Sequence, residues 1–433
     1  MTTSRLPYGG SPPHSWAVVP LKYLTTLTNG YVFNAADWID AGTPIIRIEN
    51  LNGSRNFNHS GSMLPSRYRV KSGDLLFSWS GNPGTSFGPY LWSEPGDYYL
   101  NQHIFRMDVS GCDARWLYWS LKAATHWIER ELTSGMIGMV HVTKEELTAV
   151  PIPVPPLELQ RRIANFLDAE TSRIDHMTRL RNEQLQLWNM RHQSILHSQF
   201  VASSATGGAS QDSTWLGRLP LGWTAPTIGR IARFTMGTTF PHNYQGRSQG
   251  EYPFIKVSDF QRADWVGNLS TAENWVSRDV AHTLRARIVP AGSVLYARVG
   301  AALLLNRRRV TTRPSVIDDN VRAITFAGGV PHYWRALLSL LDMGQLVNPG
   351  PVPSIGESQV AAVRVPTPPE VTQREIADRV EQHQRQLDQV TSAIQRQVNL
   401  LAERRQALIT AAVTGQFDVS TASGRNVTDG VTA

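Results

Sequence analysis

The residue types suited to covalent chemistry occur in this chain without the spacings that chemistry needs. A base-methylating site needs Asp, Asn or Ser followed by two prolines and an aromatic ring to stack on an extruded base. The nearest string, Ser11-Pro12-Pro13-His14, lacks the ring and reads as an extended lead. There is no Gly-x-x-x-x-Gly-Lys-Ser/Thr loop to cradle phosphates, no Glu-x-Lys or Asp-x-Lys pair of the common metal-dependent nuclease core, and no His-Glu-x-x-His for zinc. His192 and His197 lie in a polar stretch without carboxylate company and read as solvated, and no metal site is expected. The single cysteine, Cys112, excludes an intrachain disulfide framework and a thiolate zinc cluster. No catalytic residue is assigned.

What the chain does carry is the chemistry of polyanion contact. Forty-two Lys and Arg against 35 Asp and Glu leave a net charge of +7, a modest excess that suits nucleic acid. Phosphates call for Arg or Lys, and base edges for Arg, Asn, Gln or Ser on loops. In the first half, Arg55, Arg67, Arg69 and Lys71 gather before an apolar run, and Trp79 and Asn82 follow it. In the second half, Arg247, Lys256, Arg262, Arg298 and the run Arg307-Arg308-Arg309 occupy comparable places. That run is the densest cationic feature and reads either as a phosphate-facing loop or as a solvated strand end. Asn82-Pro83-Gly84 and Asn348-Pro349-Gly350-Pro351 have turn composition and could shape DNA-facing loops.

Such side chains need a scaffold. At 433 residues the chain exceeds one ordinary core and fits two domains plus connecting pieces. With 41% hydrophobic and 18% charged residues it has the composition of a folding chain. Met1 to Gly10 lacks a basic segment followed by an apolar run, and no eighteen consecutive apolar residues occur, so a cytoplasmic protein in a reducing compartment is expected.

The scaffold is written twice. Trp16, Leu21, Leu24 and Gly30 recur with identical spacing as Trp223, Ile228, Ile231 and Gly237. Pro44-Ile45-Ile46-Arg47-Ile48 matches Pro253-Phe254-Ile255-Lys256-Val257, and Gly73-Asp74-Leu75-Leu76-Phe77 matches Gly292-Ser293-Val294-Leu295-Tyr296. Ile152-Pro153-Val154-Pro155-Pro156 with Gln160-Arg161-Arg162-Ile163-Ala164 matches Val365-Pro366-Thr367-Pro368-Pro369 with Gln373-Arg374-Glu375-Ile376-Ala377. The offset between matches varies from 207 to 219, so insertions of differing length separate shared framework strands. Loops on a duplicated scaffold are where two copies diverge in specificity. Trp16 and Trp223, being duplicated, are expected in the framework core.

Each Pro-rich segment launches a stretch of more than forty residues without proline or glycine, from Leu157 to about Val201 and from Val371 to about Val413. In the second, Val380, Leu387, Ile394, Leu401 and Leu408 fall at seven-residue intervals, a coiled-coil seam. A shift of 213 puts Leu167, Ile174, Arg181, Trp188 and Ile195 at the same positions in the first. Two helices of roughly 65 Å follow, expected to pair antiparallel because a whole domain lies between them. The expected fold class is α+β: two similar mixed α/β domains joined by two long antiparallel coiled-coil helices, with pseudo-two-fold symmetry.

The segment PIPVPPLELQRRIANFLDAETSRID at 151–175 resembles the start of the central conserved region of type I restriction-modification specificity subunits. The Gln-x-x-Ile-Ala step and the run Leu167-Asp168-Ala169-Glu170-Thr171 through Ile174-Asp175 carry the likeness. RRQALITAAVTGQFDV at 404–419 resembles the family's C-terminal ending. The second copy departs from the run with Val380-Glu381-Gln382-His383-Gln384. The resemblance implies target-recognition domains at 1–156 and 202–369, helices at 157–201 and 370–418, and a flexible tail at 419–433. It implies that each domain reads half of a bipartite site in double-stranded DNA, with the helices setting the spacer. Expected partners are two methyltransferase subunits and restriction/translocase subunits, which would hold S-adenosylmethionine, ATP and Mg, with no cofactor in this chain. On the residues alone, a free-standing DNA-binding regulator and a coiled-coil interaction scaffold remain alternatives.

Overall fold

The computed structural model describes residues 5–132, 139–201, 209–348 and 350–419. Pro349 and the tail beyond residue 419 lie outside them. The chain divides into two compact units, residues 1–180 with 397–433 and residues 181–396. Among the described residues no helix is long and apolar enough to cross a membrane.

The first unit runs β1 (Ala17–Pro20), β2 (Thr25–Asn29), β3 (Thr43–Ile46), α1 (Ile48–Leu51), β4 (Asn58–Ser60), β5 (Arg69–Val70), β6 (Leu75–Ser78), β7 (Ser80–Gly81), β8 (Gly88–Leu91), β9 (Tyr98–Leu100), β10 (Ile104–Val109), α2 (Ala114–Trp127), β11 (Val140–His141), α3 (Lys144–Thr148) and β12 (Pro151–Val154), then enters α4 (Leu157–Ser198). One sheet has the order β2-β10-β6-β8 and a second the order β4-β3-β9-β5. The run Leu75-Leu76-Phe77-Ser78 of β6 is buried along its whole length, as an inner strand demands. Its Leu75 and Phe77 join Phe105 and Met107 of β10 in a core with Trp116, Leu117 and Leu121 of α2. Asp113 caps α2, accepting from the backbone N–H of Arg115 and Trp116, both at 3.0 Å. β1 pairs antiparallel with β12, which ties the two ends of the globule together.

The second unit runs β13 (Ala209–Thr214), β14 (Gly217–Pro220), α5 (Ile228–Ile231), β15 (Ala232–Met236), β16 (Tyr252–Ile255), β17 (Asn268–Leu269), β18 (Asn274–Val276), α6 (Arg278–Thr283), β19 (Val294–Ala297), α7 (Ala301–Leu304), β20 (Arg309–Thr311), β21 (Val316–Ile317), β22 (Val321–Phe326), α8 (Pro331–Leu340), α9 (Glu357–Ala361) and α10 (Glu370–Val413). Its sheets, β15-β22-β19-β20-β17 and β18-β16-β21, repeat the first unit's topology. β16 lies antiparallel to β18 and parallel to β21 just as β3 lies antiparallel to β4 and parallel to β9. β17 extends one sheet here, whereas β5 extends the other in the first unit, so the copies differ at sheet edges.

The repeated residues do the same work in both copies. Gly30 and Gly237 sit where the chain leaves β2 or β15 and crosses to the second sheet; Tyr31 and Thr238 then donate to Leu100 and Ile317 at 2.7 and 2.9 Å. A Cβ on either glycine would collide with the backbone carbonyl of Asn101 or Asp318. The duplicated tryptophans, Trp16 and Trp223, are half-buried against their units' cores. Gln160 and Gln373 are buried clamps. Gln160 donates to the Pro155 carbonyl and accepts from the Asp113 N–H, both at 2.8 Å. Gln373 does the same with Pro368 at 3.0 Å and Val330 at 3.1 Å. Each thereby locks the start of a long helix to the start of α2 or α8. Gln160→Ala or Gln373→Ala is expected to cost about 1–3 kcal/mol for each backbone group left unpaired, read as a lower urea midpoint in tryptophan fluorescence.

Within each unit the two long helices run antiparallel. In the first, Phe166 stacks on Phe417 and Asp175 pairs with Arg405 at 3.2 Å, so partner numbers fall as α4 advances. Leu167, Ile174 and Leu408 are buried there and Leu401 half-buried. In the second, Leu196 shares a core with Ile376 and Val380, while Trp188, Ile195 and Leu387 line a cleft of 130 Å³ between the helices. Ile394 is buried as well. α4 ends earlier than the absence of breakers suggests, whereas α10 ends where the breaker-free stretch does. α4 stops at Ser198 and Phe200 turns into the second core. α10 stops at Val413 because Gly415, at φ +72°, takes a left-handed turn and Gln416 folds back onto the Ala411 carbonyl at 2.9 Å.

Candidate nucleic-acid interface

The basic residues singled out in the sequence fall into three situations. Arg55, Arg67, Lys71, Arg247, Arg262 and Arg307 are exposed. Of these, Arg55 pairs with Glu94, Arg67 lies 4.8 Å over the Tyr68 ring, and Arg262 pairs with the buried Asp259 at 3.1 Å. Arg69, Lys256 and Arg298 are half-buried. Arg308 contradicts the expectation. It is 2% exposed, donates to Asn306 at 2.7 Å and to the Leu341 carbonyl, and burial pulls its guanidinium down to about 10. The cationic run alternates out and in because it leads into β20, so Arg307 is free to meet a phosphate while Arg308 is consumed by the core.

Trp79 and Arg298 prove to be the same position. Each backbone N–H donates across to the turn before the next strand, to His103 at 3.3 Å and to Asn320 at 3.0 Å. Each carbonyl accepts from the segment ahead of α3 or α9, from Val142 at 3.0 Å and from Ile355 at 2.9 Å. Their side chains also match: the Trp79 indole N–H donates to the Gln102 carbonyl at 3.0 Å, and Arg298 Nε donates to the Asp319 carbonyl at 2.8 Å.

The turn they hold, Asn101-Gln102-His103, connects β9 to β10, and Asp318-Asp319-Asn320 connects β21 to β22. Asn101 N–H donates to Ile46 at 3.0 Å and Asp318 N–H to Ile255 at 2.9 Å. In the first unit this turn forms one wall of an open cleft of 460 Å³, shared with Arg47, Asn52 and Asn82. Trp38 stands on its rim, 39% exposed, with the Arg47 guanidinium 5.2 Å over its ring. Lys256, the repeat of Arg47, likewise lies 5.2 Å over Phe240. Gln102 Oε1 and His103 Nδ1 have no hydrogen-bond partner within the chain. Burial, then the nearby His141, holds the His103 imidazole below its usual range, favouring the neutral ring with one donor and one acceptor. The cleft is therefore lined by amides, an imidazole and a guanidinium, the groups that pair with base edges.

The family model for the type I restriction modification DNA specificity domain matches residues 13–186. Over those residues the chain is similar to that domain. The chain is 28% identical over 205 residues to the EcoBI specificity subunit of Escherichia coli, a match spanning 46% of this chain and 40% of that protein. The match thus takes in less than half the length of that relative. With the putative MjaX specificity subunit of Methanocaldococcus jannaschii it shares 19% identity, across 95% of this chain and 96% of that one. A solved chain described under complex assembly and conformational transition of the type I R-M system superposes with a TM-score of 0.70 at 18% identity, covering 94% of this chain and all of that one, which shows the fold.

The sequence carries the likeness to that family, the fold class and the long helices, and its candidate residues include Trp79, Asn82, Lys256 and Arg298 around the two turns. It missed Asn101-Gln102-His103, Arg47 and Trp38 as members of one cleft. The signal was present: Asn101 and Asp318 stand 217 apart, inside the repeat's own range of offsets. What hid them was their unlike composition, since matching by identity skips the positions where two copies diverge.

Proposed function

We propose that this chain is the noncatalytic DNA-reading subunit of a type I restriction-modification complex. Each recognition domain, 1–156 and 202–369, reads one half of a bipartite site, and the long helices set the spacer and dock two methyltransferase subunits. S-adenosylmethionine belongs to those partners, and ATP and Mg to restriction/translocase subunits. The observation that carries the reading is the duplicated unit: the same two-sheet scaffold, with the same glycine crossing and glutamine clamp, presents two turns of unlike chemistry. A protein that reads two different half-sites needs such an arrangement. The exposed Arg55, Arg67, Lys71, Arg247, Arg262 and Arg307 are assigned to phosphates.

Selection of full-length chain on random duplex DNA, followed by purification of the native complex, tests the reading. The expected result is enrichment of one bipartite site, binding that weakens steeply with salt, and a methyltransferase that copurifies. No site enrichment would leave an interaction scaffold. An enriched site with no methyltransferase would leave a free-standing regulator.

A further inference from the structure

We propose that the turns Asn101-Gln102-His103 and Asp318-Asp319-Asn320 are the base-reading elements of the two domains, and that their difference makes the two half-sites different. This rests on the DNA-reading function above and names the residues that execute it.

The scaffolding of the turns is shared to the level of single hydrogen bonds. Both begin with a residue whose side-chain oxygen accepts from the N–H two positions on, His103 to Asn101 at 3.4 Å and Asn320 to Asp318 at 2.9 Å. Both have their middle carbonyl held from the strand alongside, by Trp79 or Arg298. Both are approached by a glycine that leaves no room for a Cβ. A device built twice with the same backbone and different side chains is one in which the backbone positions and the side chains choose.

The side chains differ in kind. Asn101, Gln102 and the neutral His103 offer donors together with acceptors, and Asn or Gln matches adenine's N6 and N7 edge. Asp318 and Asp319 offer carboxylates, which accept from the cytosine N4 amino group and repel a phosphate. Both turns lie beside a cation, Arg47 or Lys256, each held over an aromatic ring. The first turn lines an open cleft; Gln102 Oε1 and His103 Nδ1 lie buried without a partner within the chain, so these two atoms meet a base edge only when their side chains turn outward. The geometry therefore assigns an A·T pair to the first turn and a C·G pair to the second.

The test exchanges the turns in the full chain: Asn101→Asp, Gln102→Asp and His103→Asn in one variant, Asp318→Asn, Asp319→Gln and Asn320→His in the other. Both are selected on random duplex DNA beside the wild type. Each exchange is expected to move the preferred base at one or two adjacent pairs of one half-site only, changing discrimination there by about 5- to 150-fold per pair. If both variants keep the wild-type site, or lose affinity evenly for every sequence, the turns are structural and the proposal is wrong, although the wild type's own bipartite site would still support the DNA-reading function. A wild type that selects no site would instead defeat that function. Should a triple variant fail to melt cooperatively, Gln102→Glu removes the amide donor at unchanged shape, and wild-type preference in that variant overturns the proposal equally.

Discussion

Alanine at Gly237 is expected to cost the second unit about 3 kcal/mol or more and to lower its melting midpoint by roughly 6–12 °C, with Gly30→Ala doing the same to the first unit. The added methyl group meets the backbone carbonyl of Asp318 or Asn101, not the end of a flexible side chain. Relief requires the crossing strand and the turn to separate, which breaks the Thr238 to Ile317 or the Tyr31 to Leu100 hydrogen bond. Gly328→Ala is the matched control, since its Cβ would point into open space and its φ is not positive. Calorimetry on the full chain separates the cases. A change of less than about 1 kcal/mol for both crossing glycines would show that the strands tolerate the separation. Because the displaced carbonyls belong to the two turns, Gly30→Ala should also blur one half-site and Gly237→Ala the other.

If the chain reads DNA as proposed, replacing residues 1–156 with the equivalent part of a type I specificity subunit is expected to change one half-site and leave the other intact. Discrimination for the original first half-site should fall on the order of a thousandfold, because several read pairs are mismatched at about 1–3 kcal/mol each. The position of the cut decides whether the chimaera folds. A junction at residue 150 would separate β1 from the β12 strand it pairs with, from Ala17 opposite Val154 to Pro20 opposite Pro151. A junction after Pro156 keeps that ribbon and leaves Gln160 to clamp the incoming Pro155 carbonyl and the Asp113 equivalent. The incoming segment must also keep the seat of Gly10 and Pro13 against Thr414 and Gly415. Selection on random DNA reads the outcome. A change in both half-sites, or in neither, would refute independent reading by the two domains.

The sequence by itself determined the duplication, because framework residues must recur wherever the same backbone is built: a crossing glycine, apolar inner strands, proline stops and a glutamine clamp. It determined the two long helices, because more than forty residues without proline or glycine and with a seven-residue apolar repeat have one compatible backbone. It also determined the absence of a motif for catalysis. The end of α4 was less legible, since it stops at Ser198, where Phe200 turns into the second core, with no proline or glycine before Gly207.

The candidate interface was decided by tertiary structure. Cationic composition marks Arg307 and Arg308 equally, yet their orientation at the start of β20 sends one to solvent and the other into the core beneath Leu341. Trp79 and Arg298 read as contact residues, but each holds the turn opposite through a backbone carbonyl that no sequence pattern identifies. Arg47 and Asn101 follow β3 and β9, which pair in one sheet, while Asn82 follows β7 of another, so the three meet only once the unit is folded. Local chemistry fixes what each residue can do; long-range packing alone brings the residues of this cleft together, because they are far apart in sequence and side chains alternate between faces along every strand.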